Sequence, residues 1–224
     1  PLLFVKRQPY FAGHIYDDFY TWHPGGGIYV LDRPSVPGGQ QQARAIVDPQ
    51  TNETLGDGVY RDPEISWDAR RVVFANKSAS DAATSIYEIG LDGRGLRRLT
   101  HSDDQHDIDP CYLPDGRFIF LSTRGRELVP CNNTGVATLR TINSDGSDPR
   151  SVSVNNVNEF DPAILPDGRV LYGRWEYVDK TALYMQSLWT VLPDGSMETS
   201  LYANNLARPT ALLDARPVPG TDLV

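Results

Sequence analysis

Cysteine is scarce in this sequence: Cys111 and Cys131 are the two in 224 residues, with no C-x-x-C between them. That spacing excludes a Cys-rich zinc module and a covalent C-x-x-C-H haem attachment within the chain. Long apolar runs are also missing. The densest stretch, "FIFL" at 118–121, is strand-sized, so no membrane-spanning helix is expected. Positive charge is sparse and dispersed, with no basic cluster longer than "LRRL" at 96–99. A net charge of −8 repels phosphate backbones and excludes nucleic acid as a natural partner. No G-x-S-x-G is present, so the chain carries no nucleophile elbow of a serine peptidase. No signal peptide is visible. The strand-like "LLFVKR" follows Pro1 directly, so the sequence is expected to begin inside a domain.

Glycine and proline are abundant, at 19 and 17 residues, and they fall between short apolar runs. That is the pattern of an all-β protein with many turns. One phrase recurs: "DPEISWDAR" at 62–70, "DPCYLPDGR" at 109–117, "DPAILPDGR" at 161–169 and "RPTALLDAR" at 208–216. The starts at 62, 109, 161 and 208 lie 47, 52 and 47 residues apart. Between starts the pattern is constant. From Asp161, "PAIL" reads as a strand, "PDG" (166–168) as a turn and "RVLYGRWE" as a second strand. A variable loop follows, then "SLWTVL" (187–192), a second "PDG" turn (193–195) and "METSLYA" (197–203). A four-stranded meander repeating with this period is a β-propeller blade. The second strands ("VVF", "FIFL", "VLY") are continuously apolar, as expected where both faces of a sheet are covered.

The predicted architecture is therefore an all-β propeller of four-stranded antiparallel blades. It comprises a partial blade (1–60), blades at 61–107, 108–159 and 160–206, and the first strand of a further blade (207–224). That last strand could close on the first blade as a four-bladed ring. Alternatively the chain is a portion of a larger propeller, the preferred reading because four is at the low end of blade counts.

The Asp-Pro lead, the "PDGR" turn and the downstream Asp-Gly turn resemble the TolB-type propeller repeat over nearly the whole chain. The segments "LLFVKRQPY", "PGGGIYVL", "DIDPCYLPDGRFIFLSTR", "ILPDGRVLYGRWEYVD" and "ARPVPGTD" are similar to the middle propeller of hydrazine synthase alpha subunits and their relatives. That resemblance implies a periplasmic or secreted multidomain protein. In hydrazine synthase the chemistry occurs at c-type haems, whose attachment motif this chain lacks. The resemblance therefore implies a module rather than an activity.

Meander topology places the short, repetitive turns at one end of the blades and the long, varied loops at the other. Function concentrates in such loops. All four histidines fall there, His14 and His23 in "GHIYDDFYTWHP" and His101 and His106 in "HSDDQHDIDP". With Asp104 and Asp107 they form the candidate set for a divalent metal, although no strong metal spacing is present. Asp62, Asp109 and Asp161 open the first strands, and Arg208 takes that place in the fourth copy. Their recurrence marks them as scaffold, as it does Arg70, Arg117, Arg169 and Arg216 after each turn. Cys111 and Cys131 map to the same end of one blade, and a disulfide between them is expected. The aromatics Tyr10, Phe11, Tyr16, Phe19, Tyr20, Trp22, Trp175 and Tyr177 lie on or near the long loops, where packing is the leading role and ligand stacking the alternative.

No catalytic residue is assigned. The leading functional expectation is a non-catalytic scaffold that binds other domains of the same polypeptide or protein subunits. The rivals are the propeller domain of an enzyme whose centre lies outside the chain, and a His/Asp metal site on the long-loop end.

Overall fold

A computed structural model describes residues 1–9, 15–38, 40–131, 133–177, 186–206 and 208–224, with the side chains of 15–17 excepted. The chain forms two compact units, Pro1–Tyr112 and Leu113–Val224. The first contains strands β1 (Leu2–Lys6), β2 (Gly27–Leu31), β3 (Ala43–Val47), β4 (Val59–Ile65), β5 (Arg71–Lys77), β6 (Ser85–Gly90), β7 (Arg97–Arg98) and β8 (Asp107–Tyr112). The second contains β9 (Phe118–Ser122), β10 (Thr138–Ile142), β11 (Arg150–Ser151), β12 (Glu159–Ile164), β13 (Val170–Trp175), β14 (Gln186–Val191) and β15 (Thr199–Tyr202). Each sheet follows chain order: β1-β2-β3, β4-β5-β6-β7, β8-β9-β10-β11 and β12-β13-β14-β15. The first sheet has three strands and the other three have four, all as antiparallel meanders.

The second strand of a blade shows why the apolar runs are continuous. In β5, every residue after Arg71 is buried. Val72 and Phe74 enter a core with Ile28, Val30, Ile46, Val47, Tyr60, Tyr87 and Ile89. Val73 and Ala75 alternate with them and are just as buried, so both faces are covered. Each large side chain so buried contributes about 1.5–3 kcal/mol.

The turn chemistry also follows the sequence. Asp115 Oδ1 accepts Arg117 N–H at 3.0 Å, and Gly116 takes φ 88° and donates its N–H to Leu113 O. Arg117 Nε then donates to Asp115 Oδ2 at 2.8 Å, and the Asp167–Arg169 pair repeats both contacts. In these two copies the arginine braces its own turn, whereas Arg216 NH1 reaches back to Pro162 O at 2.8 Å.

The Asp-Pro lead is a bulge. Register shifts between Arg61 and Glu64 in β4, and between Phe160 and Ala163 in β12. Pro lacks a ladder N–H and fits such an unpaired position. The aspartate ahead of it is left-handed: φ is 53° at Asp62, 47° at Asp109 and 49° at Asp161. Aspartate tolerates this region better than most residues.

The fourth copy has a different register from the one the sequence phrase suggests. Its lead aspartate is Asp214, and Arg208 does not substitute for it. Asp214 has φ 52° and donates its N–H to Asp161 Oδ2 at 2.9 Å, just as Asp109 donates to Asp62 Oδ2 at 3.3 Å. Two residues earlier, Leu212 N–H bonds Gln186 O at 3.0 Å, as Asp107 N–H bonds Thr84 O and Glu159 N–H bonds Ala137 O. Four residues later, Val218 starts the turn, as Ser66, Leu113 and Leu165 do. Residues 209–213 are a lead-in whose Ala211 bridges Gln186, and Leu212 packs on Leu165, Leu171 and Leu188.

Candidate functional site

The long-loop end of the first unit carries a compact ionic group. It is built on Arg61, one residue before the bulged Asp62 at the start of β4. Its Nε donates to Asp62 Oδ2 at 2.6 Å, its NH1 lies 3.0 Å from Asp18 Oδ2, and its NH2 lies 3.8 Å from Asp109 Oδ1. Asp18 comes from a 3-10 turn, Ile15–Tyr20, and is held on its other side by Arg7 NH1 at 2.9 Å. The Arg61, Asp18 and Asp109 side chains are only 11%, 12% and 10% exposed. Burial pushes the Asp62 carboxyl up, but the Arg61 charge and the hydrogen bonds from Asp109 and Arg61 outweigh it and hold the group below the usual carboxylate range. Three carboxylates facing two guanidiniums form an ionic clasp centred on Arg61. It joins the 3-10 turn to the first strands, β4 and β8.

His106 lies beside this clasp and is buried. Its ring sits 5.3 Å from Phe19 and 4.7 Å from Tyr20, and Nδ1 accepts the Thr84 N–H at 3.2 Å. Desolvation, aided by the nearby Lys77 and Arg61 charges, pushes it down to about 4. The imidazole is therefore neutral at pH 7, with one lone pair committed to the backbone. Its role is to seat the 3-10 turn.

The metal candidates among the described residues are not brought together. His23, His101 and Asp104 are exposed, Asp104 taking a hydrogen bond from Ser102 Oγ, whereas His106 and Asp107 are buried. Among the described residues no three His, Cys, Asp or Glu side chains form a metal-holding group. His14, like the aromatics Tyr10 and Phe11, lies outside the described residues.

The expected disulfide is also absent. Cys111 is buried in β8 and Cys131 is exposed in a loop, and the two are not joined. One thiol is committed to the packed layer of its strand, whereas the other stands in solvent. Of the loop aromatics, Phe19 and Trp175 are buried and pack, while Tyr177 remains 42% exposed with its ring edge-on to Trp175 at 5.6 Å.

The second unit holds a buried carboxyl that the motifs did not single out. Glu159, first residue of β12, is 1% exposed. Its Oε2 accepts the Leu139 N–H at 2.8 Å and the Ser153 hydroxyl. Its Oε1 is buried without a hydrogen-bond partner. Burial pushes this carboxyl up to about 7 against the opposing pull of those bonds and of Arg174. Nearby, Arg174 NH1 pairs with Glu198 at 3.0 Å and its guanidinium stacks on Trp189 at 4.5 Å.

Arg61 was findable. The position before the lead aspartate is apolar in the next two copies, Ile108 and Phe160, but charged at Arg61, a singular charge at a recurring position. The position two before it holds Tyr60, Asp107, Glu159 and Leu212, so the carboxylate of Glu159 is shared with one other copy and does not stand out in the sequence.

Four-stranded antiparallel meanders repeated along an all-β chain define a β-propeller. No protein-family model matches the sequence, and no similar curated protein is found by sequence. Solved structures do match. Hydrazine synthase from Kuenenia stuttgartiensis superposes with a TM-score of 0.70 at 17% identity, over 89% of this chain and 31% of that one. A protein assigned as TolB from Agrobacterium tumefaciens gives 0.59 at 18%, over 81% of this chain and 60% of that one. A puromycin-hydrolysing peptidase from Mycobacterium tuberculosis gives 0.54 at 14%, over 81% and 28%. The chain therefore has the TolB-type β-propeller fold, the one also found in hydrazine synthase. It spans less than two thirds of each of these chains.

Proposed function

We propose that the chain is a non-catalytic β-propeller scaffold of a larger exported bacterial protein, binding other domains of the same polypeptide or partner subunits. One observation carries this reading. The outer strands β7 (Arg97–Arg98) and β11 (Arg150–Ser151) are short, polar and exposed, as a free edge should be. The outer strand β15 departs from that rule, with Leu201 43% and Tyr202 53% exposed and Met197 just before it 72% exposed. Apolar side chains on one blade edge fit a surface that a partner covers. The recurring aspartates and arginines, by contrast, are engaged within the scaffold.

A photo-crosslinker placed at Tyr202 in the full-length protein tests this. The expected product joins Tyr202 to another domain or subunit, and the same crosslinker at Arg150 gives none. Equal, weak labelling at both positions, together with turnover by the isolated chain, would overturn the reading. Export is checked by recovery of the full-length protein in the periplasmic or secreted fraction. Among the described residues no helix is long and apolar enough to cross a membrane.

A second reading draws on the likeness to hydrazine synthase and to the peptidase, whose matched segments are 31% and 28% of their chains. Here the propeller serves an enzyme whose centre lies elsewhere in the polypeptide. The flanking reading frame separates the cases: C-x-x-C-H favours a haem-linked redox subunit and G-x-S-x-G a serine peptidase.

A further inference from the structure

Glu159 stands at a seam between two strands of adjacent sheets, β10 and β12. Four polar bonds cross this seam. Glu159 N–H donates to Ala137 O at 3.0 Å, and Asn158 Oδ1 accepts the Ala137 N–H at 2.6 Å. The Glu159 carboxyl adds the other two, from Leu139 N–H and from the Ser153 hydroxyl, both to Oε2.

The other oxygen, Oε1, has no hydrogen-bond partner, and neither has Asn158 Nδ2 beside it. The groups facing Glu159 are Arg174 and Tyr172 from β13 and Glu198 ahead of β15. Arg140 is the charged residue of β10, and Glu176 follows β13, where it accepts the Ser187 hydroxyl at 3.0 Å. Arg174 stands opposite Glu159 and its charge favours the ionised form, but Oε1 takes no hydrogen bond from it, because its NH1 is held by Glu198 and its face by Trp189; burial outweighs its pull. Tyr172 also donates to Glu198, at 2.6 Å. An ionised Glu159 would thus bury a charge with one oxygen bare, whereas the neutral acid leaves only an unmatched hydroxyl.

We propose that Glu159 is a proton-operated brace: neutral, it clamps the start of β12 to β10, and ionised, it releases the clamp and opens the seam. The carboxyl's rise from the ordinary 4.5 to about 7 puts the change just below neutral pH. In the opened seam the carboxyl is hydrated and regains its ordinary value. The closed state therefore holds the proton more tightly and loses stability as pH rises from about 4.5 to about 7. Above that range both states are ionised and the dependence stops.

The test is hydrogen exchange at the Leu139 amide from pH 4.5 to 8, corrected for intrinsic exchange, in the wild type and in Glu159→Gln. Wild-type protection should fall about tenfold per pH unit up to pH ~7, roughly 300-fold in all, and then level off. Glu159→Gln mimics the neutral acid and should stay protected throughout. Ser153→Ala removes one bond that favours the ionised form, together with a second acceptor of the Leu139 N–H at 3.0 Å, so it should move the wild-type midpoint upward while lowering protection at every pH. It also serves as the test should the glutamine variant fail to fold. A pH profile unchanged by Glu159→Gln, a midpoint unmoved by Ser153→Ala, or a Glu159 carboxyl that titrates near 4.5 would each overturn the proposal.

Discussion

Replacing Asp62 by alanine is the sharpest probe of the ionic clasp. The change removes the 2.6 Å contact with Arg61 Nε and the acceptor of the Asp109 N–H. A charge-assisted hydrogen bond of this burial is worth about 1.5–3 kcal/mol, and the stranded Asp109 N–H adds about 1 kcal/mol. Alanine must also adopt the left-handed backbone of φ 53°, at roughly 1–2 kcal/mol. Arg61 keeps Asp18 at 3.0 Å, so the sum should be discounted to about 3 kcal/mol. Asparagine at the same position tolerates the backbone and can still accept the Asp109 N–H, so Asp62→Asn should cost about 1–2 kcal/mol. Urea unfolding at pH 7 reads the difference as a midpoint shift of about 1–2 M for alanine and about half that for asparagine. The pH dependence has a definite sign. The native Asp62 carboxyl lies below its ordinary 3.8, so its contribution is present above that value and is lost as pH falls through the lowered one. The gap between wild type and Asp62→Asn should be constant from pH 5 to 8 and close below pH 4. Alanine and asparagine variants of equal stability, or an alanine variant within about 0.5 kcal/mol of wild type, would refute the reasoning.

Three further outcomes follow from the geometry. Gly26 has φ 100° and approaches Lys6 so closely that an added Cβ would lie 1.8 Å from the Lys6 carbonyl oxygen, so Gly26→Ala should cost more than about 3 kcal/mol in thermal unfolding. An unchanged Tm would show that β1 and β2 do not pair in this register. Asp161→Ala should accelerate exchange of the Asp214 amide, while Arg208→Ala should leave stability within about 0.5 kcal/mol; the reverse pattern would restore the fourth copy to 208. In native protein one thiol, Cys131, should react at once with a thiol reagent and Cys111 only on unfolding. No reactive thiol before or after denaturation would indicate a bridge.

The blades were legible because turn chemistry and strand burial are local. Asp115–Gly116–Arg117 states its own turn, and "RVVFANK" states that both its faces are covered. The register of the fourth copy was not local. "RPTALLDAR" imitates the repeated phrase, whereas the true alignment at Asp214 depends on a bond to Asp161, 53 residues away. The site was misread for a related reason. Sharing the long-loop end of a blade does not place side chains within bonding distance: among the described residues His23 and His101 are exposed, whereas His106 turns inward against Phe19 and Tyr20. Arg61 departed from the repeat at a recurring position, a signal that needed only the copies set side by side, whereas Glu159 shares its position with the carboxylate of Asp107 and did not stand out.

The bond from a lead aspartate to the backbone of the next, made by Asp62 and by Asp161, also bears on how such a chain can change. Asp62 reaches Asp109 across 47 residues, and Asp161 reaches Asp214 across 53. The two spans differ by 6 residues (53 − 47), yet the same atoms meet. Neighbouring copies are thus aligned by a docking point rather than by a measured length of polypeptide. Loops between docking points are free to grow, shrink or be exchanged without shifting the blades. In this fold, the surface most open to innovation is mechanically uncoupled from the frame that carries it.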